Sequence, residues 1–175
     1  MAESSPDLDY NDPASEPHVR LEMLSQARFL AGARAMISNL AQRLGFNEIH
    51  CGQISLAVDE ALCNIINHGY SKKPDGRIWL NIWALESDPP AMHIVIEDRA
   101  RQVDPATIRS RDLEDIRPGG LGVYIIREVM DHVRYEQRDG GGMRLTMTKR
   151  LPPDGHMPAS TAGAARRREG NEDNL

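Results

Sequence analysis

Apolar positions along this chain change period several times, and each change marks an element. Val19, Leu21 and Met23 alternate with Arg20 and Glu22, which predicts a short strand. Phe29, Leu30, Ala33, Met36, Ile37, Leu40 and Leu44 then recur at three- and four-residue spacing, which predicts a helix. Ser25 is its expected N-cap and Gly45 its C′ residue. Asn47 is placed to cap a second helix that runs to about Gly69. The stripe of Leu56, Val58, Ala61, Leu62, Ile65 and Ile66 is expected to be buried.

After a loop over Ser71–Gly76, Ile78, Leu80, Ile82 and Ala84 alternate with Trp79, Asn81 and Trp83. A turn over residues 86–90 follows, and Met92 to Glu97 alternates again before ending at Asp98. Two strands joined by so short a turn are most easily antiparallel. Residues 99–118 carry no sustained apolar period, and a loop of that length inside a domain is usually functional or mobile. Gly119-Gly120-Leu121-Gly122 closes it and opens a helix over 123–130. Residues 133–137 and 145–151 read as strands around the Asp139–Gly142 turn. The order β-α-α-β-β-α-β-β, mostly antiparallel with helices on one face, predicts an α+β two-layer sandwich.

Bulk numbers narrow the classes. The 175 residues suit one domain of about residues 18–151, with unstructured tails at 1–17 and 152–175. A hydrophobic share of 40% and a charged share of 27% are ordinary for a soluble protein. The net charge of −5 gives no electrostatic footprint for nucleic acid. No apolar run approaches the ~18 residues of a membrane span, and Met1–Asp7 lacks the regions of a signal peptide, so a cytoplasmic location is expected. Cys51 and Cys63 have neither metal nor redox spacing and read as small core or near-surface residues. Arg166–Arg168 reads as a solvated charged tail.

Three features suggest chemistry. Glu60, Asn64 and His68 are four residues apart and stay on one side of the second helix. A carboxylate beside a carboxamide suits a general base and a hard cation, although three polar residues also make an ordinary solvated face. Gly119–Gly122 at a helix start offers free backbone N–H groups, for which phosphate is the natural occupant, although turn glycines also explain such clusters. Asp98, at a strand end, is placed to accept a hydrogen bond from an exocyclic amine such as that of adenine.

Taken in order and spacing, these three features resemble the GHKL (Bergerat-fold) ATPase and kinase superfamily, and within it the anti-sigma-factor serine kinases of the RsbW and SpoIIAB type. Residues 59–70 are similar to that family's N box, residues 97–105 to its first glycine box and residues 119–131 to its second, and the likeness spans about residues 18–151. The resemblance implies ATP and Mg²⁺ as cofactors. It assigns Glu60 as general base toward a protein serine, Asn64 as Mg²⁺ ligand and Asp98 as adenine acceptor. The N–H groups of Gly119, Gly120, Leu121 and Gly122 would face the phosphates, with Arg117 as a charge-stabilising lid residue. It further implies a sigma factor and a STAS-domain anti-anti-sigma protein as partners, a homodimer, and protein serine/threonine kinase activity. Two positions depart from the family pattern. Ala100 stands where the first glycine box has glycine, and is expected to tighten the adenine end of the pocket. Met143 stands where the last hairpin usually has threonine. The alternative function is a non-catalytic module of the same fold that sequesters a regulator with weak or no ATP use.

Overall fold

The computed structural model describes residues 15–108 and 121–152. Within them lie β1 (Val19–Leu24), α1 (Leu30–Arg43), α2 (Glu48–Asn64), β2 (Arg77–Leu85), β3 (Ala91–Asp98), α3 (Gly122–Val129), β4 (His132–Gln137) and β5 (Met143–Arg150). The strands form one antiparallel sheet in the order β1-β2-β3-β5-β4. The expected α+β layering is therefore present. The expectations for the tails fall largely outside the described residues.

Strand alternation sorts the side chains into two layers. Ile78, Leu80 and Ile82 of β2, Met92, Ile94 and Ile96 of β3, and Leu145 and Met147 of β5 point to one side. There they join Ile37 of α1 and Ile54, Val58 and Leu62 of α2 in a single core. Each such side chain contributes about 1.5–3 kcal/mol of burial. β3 is buried on both faces: His93 and Val95, which point the other way, are as inaccessible as Ile94.

Local signals explain the helices, and four corrections follow. The Asn47 side chain accepts a hydrogen bond from the His50 N–H at 2.9 Å and starts α2 as expected. Gly45 closes α1 with φ +99°. Leu56 was expected in the buried stripe but is exposed, because it lies about 200° around the helix from both Ile54 and Val58. Phe29 is also exposed, in a short 3₁₀ turn over Ala27–Phe29 that precedes α1. That turn takes Ser25 away from the helix, so it is no N-cap. Its hydroxyl donates to the Lys73 carbonyl at 2.5 Å and accepts from the Gly76 N–H at 2.9 Å, fastening the 71–76 loop to the end of β1. Past Asn64 the helix widens into a π turn over Ile65–Gly69 instead of remaining α-helical. Such turns often sit at functional sites.

Candidate functional site: a cavity between the α2–π helix, β3 and α3

The core layer opens at the carboxyl end of β3. A cavity of about 400 Å³ lies there, lined by Asn64 and His68 from the α2–π segment, Asp98 and Ala100 from the end of β3, Gly122 from α3, and Met143 from β5. A volume of this order suits a small-molecule site.

Asp98 is almost fully buried, and its carboxylate is held by the backbone. Its Oδ1 accepts from the Ala100 N–H at 2.7 Å and from the Met143 N–H at 3.2 Å. Burial pushes its pKa above the usual carboxylate value, partly offset by those two amides and by Arg138. Both amides fall on Oδ1, and Asp98 lines the cavity. The backbone around Asp98 is clamped as well. Arg138 Nη1 donates to the Asp98 carbonyl at 2.7 Å. Gln102 Nε2 donates to the Arg138 carbonyl at 2.7 Å, and Gln137 Nε2 to the Val103 carbonyl at 3.1 Å. Gly142, at φ +88°, lies flat against the Asp98 carbonyl, where a Cβ has no room.

Glu60 and Asn64 meet α3 at Gly122. A Cβ on Gly122 would fall 2.6 Å from Glu60 Oε2 and 3.2 Å from Asn64 Nδ2, so the missing side chain is what lets carboxylate and carboxamide approach the helix start. The first N–H groups of α3 have no partner within the helix. Tyr70 secures the other flank. Its hydroxyl donates to the Arg77 carbonyl at 2.6 Å and accepts from the Arg99 N–H at 2.9 Å, tying the end of the π turn to the end of β3.

Thus Asn64, Asp98, Ala100 and Gly122 line one cavity, and Glu60 abuts it through Gly122. Leu121 is exposed beside them. Arg117, Gly119 and Gly120 lie outside the described residues. Among the described residues no cluster of three His, Cys, Asp or Glu side chains could hold a metal ion by itself. Ala100 shows no positive φ, which among the described non-glycine residues occurs at Ser71 and Lys72 only. Its backbone conformation does not require glycine, and its N–H still serves Asp98.

A model of the histidine kinase-like ATPase domain matches residues 24–149. The chain belongs to that family. Its relatives include the serine-protein kinase RsbW of Halalkalibacterium halodurans, 28% identical over 78% of this chain and 85% of the relative. The serine-protein kinase RsbW of Bacillus subtilis is 24% identical over 77% and 86%. Among solved structures, the RsbU and RsbW domains of Rv1364c from Mycobacterium tuberculosis align with a TM-score of 0.51 at 17% identity, over 77% of this chain and 33% of that one. That likeness supports the fold. The family expected from the three boxes is the family found.

Sequence reasoning passed over Tyr70, Gln102 and Arg138, which brace this ATPase-domain site, and saw Met143 only as a departure. Tyr70 was within reach, standing at the end of residues 59–70, the run similar to the N box. Arg138 and Met143 act through a hairpin 40 residues beyond Asp98 and leave no local signature.

Proposed function

We propose that this protein is an ATP-dependent serine kinase that holds a sigma factor and phosphorylates a serine of a STAS-domain antagonist, acting as a homodimer in the cytoplasm. The observation that carries this reading is the packing of Glu60 and Asn64 against Gly122, which lines one cavity together with Asn64 and Asp98. Asp98 Oδ2 accepts from the adenine amine. Ala100 and Met143 keep that carboxylate aimed through their N–H groups. The amides of Gly119, Gly120, Leu121 and Gly122 bind the phosphates, and Arg117 adds positive charge at the transferring group. Mg²⁺, held by Asn64 and the phosphates, supplies charge neutralisation when bound. Glu60 takes the proton of the substrate serine as its oxygen bonds to the γ-phosphorus and the bond to the leaving ADP oxygen breaks.

The RsbW names of the relatives support the substrate class. The test is transfer from radiolabelled ATP to the cognate antagonist. Transfer by wild type, abolished in Glu60→Gln with ADP binding retained, is the expected result. A second reading is a binding module that sequesters a regulator with little ATP use. The Met143 side chain in the cavity favours it, because the family's hydroxyl is missing there. It predicts partner capture with no labelled product from wild type.

A further inference from the structure

The face of the sheet turned away from the helices carries a second concavity, of about 680 Å³. Its floor is aromatic and its walls are cationic. Trp79 and Trp83 line it with Arg20, Arg99, Arg138 and Arg144. The Arg99 guanidinium stands 5.5 Å from the centre of the Trp79 ring and that of Arg138 stands 5.8 Å away, both within cation–π range. Glu97 answers part of this charge, pairing with Arg138 at 3.2 Å and Arg144 at 2.9 Å. Four arginines thus face Glu97 and Glu16, leaving the groove net positive in a chain whose net charge is −5.

The chain itself leads into this groove. Ser15, Glu16 and Pro17 line it. The Trp83 indole N–H donates to the Ser15 carbonyl at 2.9 Å, and Glu16 pairs with Arg20 at 3.5 Å. No described helix covers this side, yet His93, Val95, Thr146 and Thr148, which point to it, are each 3% exposed or less. The fourteen residues ahead of Ser15 contain Glu3, Asp7, Asp9 and Asp12 and no Lys, Arg or His. Extended at ~3.4 Å per residue they reach far enough to cross five strands spaced ~4.8 Å apart.

We propose that the acidic segment of residues 1–14 docks in cis on this arginine–tryptophan groove, its carboxylates on Arg99, Arg138 and Arg144 and its apolar residues against the indoles. The charge sign and the point of entry at Ser15 favour this occupant. Any other acidic ligand of the face must then displace it. The inference does not depend on kinase activity.

Both tryptophans of the chain line the groove, so their fluorescence reports on it directly. The experiment uses the full chain, with Glu3→Gln, Asp7→Asn, Asp9→Asn and Asp12→Asn combined, beside wild type. The expected result is red-shifted emission and at least about twofold greater iodide quenching in the variant, reproduced in wild type by molar salt. A synthetic peptide of residues 1–14, added to the variant, is expected to restore shielding. Equal emission and quenching in both proteins would overturn the proposal. So would shielding that depends on protein concentration alone, which would assign the face to a second copy. A third protein, Arg99→Gln with Arg144→Gln and the native tail, is expected to behave like the neutralised tail; wild-type quenching there would also overturn it.

Discussion

Gly142 and Asp98 touch through their backbones. The Asp98 carbonyl occupies the place where any side chain on Gly142 would begin, and Gly142 holds φ +88° in addition. Substituting Gly142→Ala therefore combines left-handed strain with a backbone clash, at a cost of roughly 2–4 kcal/mol. Gly140→Ala is the control. It shares a positive φ, +82°, but meets open space, so it is expected to cost only about 1 kcal/mol. Denaturant unfolding of the two variants measures the difference. Equal costs would mean that the hairpin does not press on β3.

The buried carboxylate of Asp98 gives a pH dependence with a defined sign. Its folded-state pKa is raised by burial. The folded protein therefore holds this proton more tightly than the unfolded chain, and the group's contribution to stability falls as pH rises from the ordinary carboxylate range through the raised value. Nucleotide binding is expected to follow the opposite course, because the ionised carboxylate is the stronger acceptor for an amine. ADP affinity is expected to fall, as pH is lowered, at a higher pH than an ordinary aspartate would dictate. Asp98→Asn is expected to weaken ADP by tenfold or more, to remove this pH step, and to leave the unfolding midpoint at pH 7 unchanged or higher. Calorimetric titrations across pH, with and without the substitution, check all three.

Gly122→Ala tests the meeting of α3 with Glu60 and Asn64. The new methyl would stand 2.6 Å from Glu60 Oε2 and displace it. Alanine is otherwise favourable in a helix, by about 1 kcal/mol over glycine. Phosphotransfer is expected to fall by at least about tenfold, while thermal stability changes little. A variant that keeps full transfer would remove Glu60 from the base role.

Tyr70→Phe keeps the ring and deletes two hydrogen bonds, one to Arg77 and one from Arg99. The expected loss is about 1–2 kcal/mol of stability. Because Arg99 follows Asp98 directly, weaker discrimination between ATP and GTP should accompany it. A competition titration with both nucleotides measures this, and unchanged selectivity would confine Tyr70 to stability.

Much of this molecule is written locally. Each described strand, α1, the start of α2 at Asn47 and the close of α1 at Gly45 follow from period, cap and turn chemistry that a neighbour or two decides. The three boxes were legible for the same reason, since each is a short run with its own chemistry. What escaped is set by tertiary register. Met143 is where it is because β5 lies beside β3, and it serves Asp98 through a backbone N–H that every residue but proline has. Ser25 looked like a cap because hydroxyls commonly are, yet the loop at residues 71–76 claimed it. Leu56 is apolar and exposed, and hydrophobicity alone does not reveal which way it faces.

At its end β3 divides two environments by a single residue. Glu97 and Arg99 turn toward the arginine–tryptophan groove, while Asp98 between them turns into the cavity. The sheet is at this point a partition one peptide unit thick, with Arg138 gripping two successive residues of it: its Nε on the Glu97 carboxylate, its Nη1 on the Asp98 carbonyl. Surface mutagenesis here has no remote positions. A substitution chosen on the outer wall, at Glu97, Arg99 or Arg138, is also an alteration of the frame that holds Asp98, and its effect on a docking partner has to be read together with its effect on the nucleotide.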